Sequence, residues 1–257
     1  MGGEMKILAS DYDGTLKVNE EVSSKNKEMI KKWRAQGNLF GIVTGRSTTT
    51  IHQEIETKGL EIDFLVCNNG GVILDKNMDI EQLLLIDFPV VEKIIVYIET
   101  IKSNGYVLND GIHRSRVAPM QAKDDLHDTP STIGAKEILE NKKVAQIVVN
   151  FDEQETANTL AKYINTNFGT KVEAFTNLNC VDIVPKGASK ENGLRYIAKR
   201  ENVSEKDVYS IGDSYNDVCM IEAFSGATLE HAHIKIKEYA KVVVKDVAEY
   251  LSILMNL

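Results

Sequence analysis

KILASDYDGTLK, residues 6–17, runs through the apolar residues Ile7, Leu8 and Ala9 into two aspartates, Asp11 and Asp13, and then at once into Gly14. An apolar run this short, bounded by polar residues, reads as a strand buried on both faces. Side chains alternate along a strand and the following turn breaks the alternation, so Asp11 and Asp13 can both enter the space beyond the strand while Tyr12 points back. Gly14 permits the tight turn. Two readings stand at this point: an Asp-Gly turn with a capping aspartate, or two carboxylates gathered for chemistry.

Outward from this strand, helical and strand patterns alternate. Ser23 or Ser24 caps a helix whose apolar residues Met29, Ile30 and Trp33 share one face, and Gly37 closes it. LFGIVTG (39–45) is a second strand, STTTIHQEIETKG (47–59) a second helix, and IDFLVCNNGG (62–71) a third strand ending in a glycine turn. Three βα steps of this kind predict a doubly wound parallel sheet. From about residue 83 the strands alternate more cleanly, as in an antiparallel sheet covered on one face. Those strands are YVLND (106–110), AQIVVNF (145–151), VEAFTN (172–177) and CVDIVP (180–185). Helices are expected over 88–105 and 152–169, the second opening on Asp152 and Glu155 in capping-box spacing. After Pro185 and Gly187 the parallel pattern returns, with a helix from Ser189 to about Arg200, the strand DVYSIG (207–212), and a helix from near Ser214. The expected architecture is α/β: a Rossmann-like doubly wound core of residues 1–82 and 187–257, with an inserted α+β unit over 83–186.

The chain has 257 residues, 43% of them apolar and 26% charged, which is enough for one large or two modest globular units. A net charge of −8 offers no clustered excess of Lys and Arg, so no nucleic-acid partner is expected, and an anionic ligand would need local cations or a metal. No run approaches the roughly 18 apolar residues of a membrane span, so no membrane partner is expected either. Cys67, Cys180 and Cys219 are dispersed and form no CxxC pair, which predicts neither a disulfide framework nor a zinc site and fits a reducing cytoplasm. No P-loop motif is present. A monomer or homodimer is expected.

Four polar clusters sit at comparable places: DYDGT (11–15), TGR (44–46), SK (189–190) and GDSYND (212–217). Three follow an apolar strand directly, and in open parallel sheets ligands bind in the crevice beyond the strands' carboxyl ends. Asp213 and Asp217 thereby join Asp11 and Asp13, and carboxylates crowded into one crevice call for a hard cation such as Mg²⁺. Lys190 stands at the start of a helix, where the macrodipole disfavours a cation. That break with local preference marks it either as a site residue or as a solvated surface lysine. Ser189 reads plainly as an N-cap. Thr44, with Gly45 and Arg46 behind it, offers a hydroxyl and strand-end amides suited to a phosphate oxygen.

In this order, at these strand and helix ends, the four clusters resemble the haloacid dehalogenase superfamily of phosphohydrolases. The long insertion between the second and third is similar to its Cof-type branch, in which an α/β cap closes over the core. The resemblance implies that Asp11 is the nucleophile that becomes an aspartyl phosphate, and that Asp13 protonates the leaving alcohol and then takes a proton from water. It implies that Thr44 binds the phosphoryl oxygens and Lys190 neutralises charge. Mg²⁺ would sit at Asp11, the Asp13 carbonyl and Asp213, with Asp217 and Asn216 completing or orienting the site. Gly14, Thr15, Gly45, Arg46, Asn69 and Asn216 are the implied substrate contacts. The implied reaction is Mg²⁺-dependent hydrolysis of a small phosphorylated metabolite of the sugar phosphate type. A phosphomutase and a sensor phosphorylated without turnover are the competing readings.

Some stretches depart from the pattern or say less. In TLEHAH (228–233), Glu230 and His231 stand where family members often carry Gly and Asn, and His231 and His233 read as surface residues. CNNGG (67–71) either brings Asn68 and Asn69 towards substrate or is a plain β-turn. His113, Arg114 and Arg116 in GIHRSRV (111–117) read as solvated loop residues, the other reading being contact with a sugar or a second phosphate.

Overall fold

The computed structural model describes residues 4–118 and 133–257. In chain order its elements are β1 (Ile7–Ser10), α1 (Ser24–Ala35), β2 (Leu39–Val43), α2 (Thr48–Lys58), β3 (Phe64–Cys67), β4 (Val72–Asp75) and β5 (Ile80–Leu83). Then come α3 (Phe88–Thr100), β6 (Tyr106–Asn109), β7 (Arg114–Val117), α4 (Ala135–Asn141), β8 (Gln146–Asn150), α5 (Gln154–Phe168), β9 (Val172–Asn177) and β10 (Cys180–Pro185). The chain closes with α6 (Lys190–Arg200), β11 (Val208–Gly212), α7 (Val218–Ala223), β12 (Ala227–Leu229), α8 (Ile234–Lys237), β13 (Val242–Val244) and α9 (Val247–Met255).

All four residues of β1 are buried, as an apolar strand covered on both faces requires. It lies within a sheet ordered β13-β12-β11-β1-β2-β3-β4-β5, parallel from β13 to β3. Alternation sends Ile7 and Ala9 to one face, where they pack with Leu194 and Ile197 of α6, Met220 of α7 and Phe224 just beyond it. Leu8 goes to the other, with Trp33, Ile51 and Tyr250 of α1, α2 and α9. The Trp33 indole also donates to the Leu39 carbonyl at 2.8 Å, tying α1 to the start of β2. Ser23 caps α1 by accepting the Asn26 amide at 3.1 Å.

The sheet winds outward from β1 in both directions, through β2 and β3 on one side and β11 to β13 on the other. The reversal of order places a crevice at the carboxyl ends of β1 and β11. β3 ends on a turn, as expected, but the two strands that follow it were not expected. Asn68, Asn69 and Gly70 all take positive φ and reverse the chain within a single turn, so β4 and β5 return antiparallel on the sheet edge. The helix expected near Ser214 opens as a 3-10 turn over Tyr215–Asp217 before α7.

A second sheet, ordered β7-β6-β8-β10-β9 and wholly antiparallel, forms between β5 and α6. Leu108, Ile147, Val149, Val181 and Ile183 pack on one face against Val91, Ile94 and Ile98 of α3 and Leu160 and Ile164 of α5. The alternate positions, among them Val107, Asn109, Gln146, Val148, Asn150 and Asp182, lie on the other face. Two local expectations are corrected. Helix α3 ends at Thr100, five residues early, and α5 starts without its capping box, since the Asp152 carboxylate instead accepts the Asn104 side-chain amide at 2.8 Å. Arg114 and Arg116 are not loop residues: they lie on β7, paired with Asn109 and Val107 of β6, with Ser115 buried between them.

Candidate active site

β1, β2 and β11 deliver their terminal residues to one place. The Asp11 amide donates to the Ile211 carbonyl at 2.9 Å, which locks the first residue beyond β1 to the neighbouring strand. Lys190, first residue of α6 and 1% exposed, extends beneath the crevice and donates to Asp11 Oδ1 at 2.6 Å and Asp217 Oδ1 at 2.5 Å. The other Asp217 oxygen accepts the amides of Asp213 and Ser214 at 3.0 and 2.9 Å, shaping the loop after β11. Thr15 donates its hydroxyl to Asp213 Oδ1 at 2.5 Å. Gly14, at φ 83°, leaves room for that carboxylate, since a Cβ there would lie 2.5 Å from Asp213 Oδ2. His231 donates from Nε2 to the Gly14 carbonyl at 2.8 Å, bracing the same turn from outside.

The electrostatics follow from this crowding. Burial removes charge from Lys190, but Asp11 and Asp217 more than reverse that and hold it above the usual lysine range, so it remains protonated. Burial raises Asp11; Lys190 pulls it down, Asp217 and Asp213 push it up, and the balance is a carboxyl well above its ordinary value. Asp213 is likewise raised, by burial first, with the Thr15 hydrogen bond opposing. Asp11, Asp213 and Asp217 each offer an oxygen within 4.8 Å of the others. These carboxylates, converging from the loops after β1 and β11, suit a cation of the Mg²⁺ type, with both Asp217 oxygens already partnered within the protein.

Asp13 sits differently. Arg46 grips it in a fork, Nε to Oδ2 and Nη2 to Oδ1 both at 2.6 Å, and Lys17 lies 3.4 Å from Oδ1. Burial would raise Asp13, but Arg46 and Lys17 prevail and hold the carboxyl below its usual range. The guanidinium lies 5.4 Å from the centroid of the Tyr12 ring, whose hydroxyl donates to Glu54 at 2.8 Å. Tyr12 is thus turned back into the protein, as the strand alternation predicts. Thr44 is 2% exposed, and its hydroxyl accepts the Arg46 amide at 3.1 Å.

A cavity of about 530 Å³ opens between the crevice and the second sheet. Asp11, Asp13, Thr44, Gly45, Arg46 and Asn216 line its floor, and Asn109, Asn150, Cys180, Asp182 and Arg114 are among the residues facing them. The Oδ1 atoms of Asn109 and Asn216 are buried and unpartnered. Of the residues singled out in the sequence, Gly14, Thr15, Asp213, Asp217 and Lys190 lie behind this surface. Asn69 is buried too, behind the lining residues Asp182 and Asn216, to which it is hydrogen-bonded. His113 lies outside the lining, 3.2 Å from Asp110 through Nδ1. Sequence reasoning missed Gln146, Asp182 and the cavity-facing asparagines. Their signal was the period of two, with Gln146 and Asn150 flanking Val148 in β8 and Asp182 set between Val181 and Ile183 in β10.

A family description, haloacid dehalogenase-like hydrolase, matches residues 8–255. The 5-amino-6-(5-phospho-D-ribitylamino)uracil phosphatase YwtE of Bacillus subtilis (strain 168) is 26% identical over 271 residues, covering 94% of this chain and 93% of that one. Among solved structures, the HAD subclass IIB sugar phosphatase BT4131 superposes with a TM-score of 0.82 at 20% identity, covering 98% of this chain and 100% of that one. BT1666 from Bacteroides thetaiotaomicron, among the phosphatases of the haloalkanoate (HAD) enzyme superfamily, gives 0.79 at 22% identity, covering 99% and 94%.

Proposed function

The chain belongs to the haloacid dehalogenase-like hydrolase family, and from that premise we propose that it is a phosphatase working through an aspartyl phosphate on Asp11. The observation that carries this reading is the buried triad in which one protonated lysine bridges Asp11 and Asp217 beside a second strand-end carboxylate, Asp13. Residues 83–186 are the cap that encloses the substrate, and residues 1–82 with 187–257 are the catalytic core.

Attack by an Asp11 carboxylate oxygen on phosphorus forms the acyl phosphate bond and breaks the bond to the leaving oxygen, which takes its proton from Asp13. Water then gives a proton to Asp13 and attacks phosphorus, releasing phosphate and restoring the Asp11 carboxylate. Asp13 is held ionised by Arg46 in the arrangement described, which is the form that accepts a proton. Donation requires the guanidinium to leave it, and phosphate oxygens entering beside Gly45 and Thr44 provide the competing partner. Lys190 keeps its proton throughout and offsets charge on the nucleophile. Asp11, the Asp13 carbonyl and Asp213 would hold Mg²⁺, and the bound ion supplies charge neutralisation as the phosphate dianion meets a carboxylate. Asp217, with both oxygens engaged, orients Lys190 and the loop.

The substrate class is a small phosphorylated metabolite with a hydroxyl-rich leaving group. The cavity's volume and the amide-bearing face of Asn109, Asn150, Asn177 and Asn179 support this, as do the activities for which the sugar phosphatase and the ribitylaminouracil phosphatase are named. A panel of sugar and polyol phosphates, assayed for released phosphate with and without Mg²⁺, tests the reading. Metal-dependent release from several members supports it, and isomerised phosphate esters without release would show a mutase instead.

A further inference from the structure

Asn68 and Asn69 both adopt left-handed backbone, with φ 51° and 52°. That conformation costs a residue bearing a side chain, and it persists where the surroundings hold it. Here they are held on three sides. Their backbone amides face the phosphate loop, Asn69 N donating to the Thr44 carbonyl at 3.0 Å and Asn68 N to the Arg46 carbonyl at 2.9 Å. Their side-chain amides face the cap, Asn68 donating to Gln146 Oε1 at 2.9 Å and Asn69 to Asp182 Oδ2 at 3.1 Å. Gln146 in turn donates to Asp182 Oδ1 at 3.1 Å. On the third side, Asn69 Oδ1 accepts the Asn216 amide at 3.1 Å, one residue before Asp217. Asn68, Asn69, Gln146 and Asp182 are all buried.

A turn that only reversed the chain would be satisfied by glycine. Two asparagines whose side chains reach one unit and whose backbones brace another form a joint. We propose that Asp182 and Gln146 are positioning residues for the reaction: seated on the Asn68–Asn69 turn, the cap locks the Thr44–Arg46 loop and Asn216 into the geometry that receives the phosphoryl group. The phosphate site is then complete only with the cap docked. Both Asp182 oxygens serve as acceptors, one for each unit, so replacing one with a donor sets it against an N–H that also donates. This inference rests on the phosphatase reading and assigns roles to residues outside the catalytic set.

The test measures inorganic phosphate affinity by calorimetry in the presence of Mg²⁺, and kcat and KM on an aryl phosphate, for wild type, Asp182→Asn, Asn69→Gly and the double variant. Asn69→Gly keeps the left-handed backbone and deletes only the side chain. Asp182→Asn removes a buried charge but leaves a mispaired donor, so melting temperatures are recorded beside the affinities. Phosphate affinity is expected to fall about fivefold or more in each single variant, the low end of coupling between linked sites, and no further in the double variant. A merely structural role would lower the melting temperature and leave phosphate affinity alone. Unchanged affinity in both single variants, or losses that multiply in the double variant, overturns the proposal. Wild type that binds phosphate but hydrolyses no ester defeats the phosphatase reading, while the joint is still decided by the affinities.

Discussion

Lys190 draws its environment from three elements at once, and its removal shows why the triad is a unit. Without the ammonium, Asp11 and Asp217 face each other buried and unpaired. Lys190→Ala is therefore expected to abolish turnover and to lower unfolding stability by about 3–5 kcal/mol, the usual cost of breaking a buried pair, as read from a urea titration. Asp182 behaves oppositely. Burial pushes it up to about 6, opposed by Asn69, Lys190 and Gln146, whereas in the unfolded chain it titrates near the ordinary value of about 3.9. A raised carboxyl binds its proton more tightly folded than unfolded, so its contribution is favourable below about 4 and is lost as pH rises through about 6. Asp182→Asn should remove that part of the pH dependence, which melting temperatures across pH 4–8 would check. The two residues were unequally legible. A lysine at a helix N-terminus contradicts the dipole and stands out in sequence; a lone aspartate in an alternating strand looks like any solvent-facing residue until the opposite unit covers it.

The alternation that placed β1, β2 and β11 in sequence also decided what a glycine does in β2. A Cβ on Gly41 would lie 2.3 Å from the buried Phe64 ring of β3, so Gly41→Ala is expected to destabilise by about 1–3 kcal/mol through overpacking despite alanine's lower backbone entropy. An unchanged denaturation midpoint would show that the sheet can yield there. Element types were readable because buried strands and amphipathic helices carry different periods. What escaped reading depended on distant partners: the capping box of α5 failed because Asn104 claims Asp152. The antiparallel strands β4 and β5 escaped because three successive residues with positive φ turn the chain back at once.

At the level of the whole molecule, chemistry on the proposed reading belongs to the core and selectivity to the facing sheet. Substituting Asn150 or Asn179 by alanine is expected to raise KM several-fold for hydroxyl-rich esters while leaving kcat near wild type, because on the proposed reading these cavity-lining amides meet the leaving group and not the phosphorus. Equal loss on an aryl phosphate would move them out of that role. The insertion itself was visible as a break in the parallel pattern, but the cavity was not, since its lining joins residues more than 100 positions apart, such as Thr44 and Asp182. No described helix is long and apolar enough to cross a membrane. The central claim is that Asp11 carries the phosphoryl group, and the most direct measurement is phosphate release from an aryl phosphate by wild type and by Asp11→Asn, each with Mg²⁺ and after chelation. Wild type is expected to release phosphate until the metal is chelated, and Asp11→Asn to release none although it folds normally. Continued turnover by Asp11→Asn would contradict it.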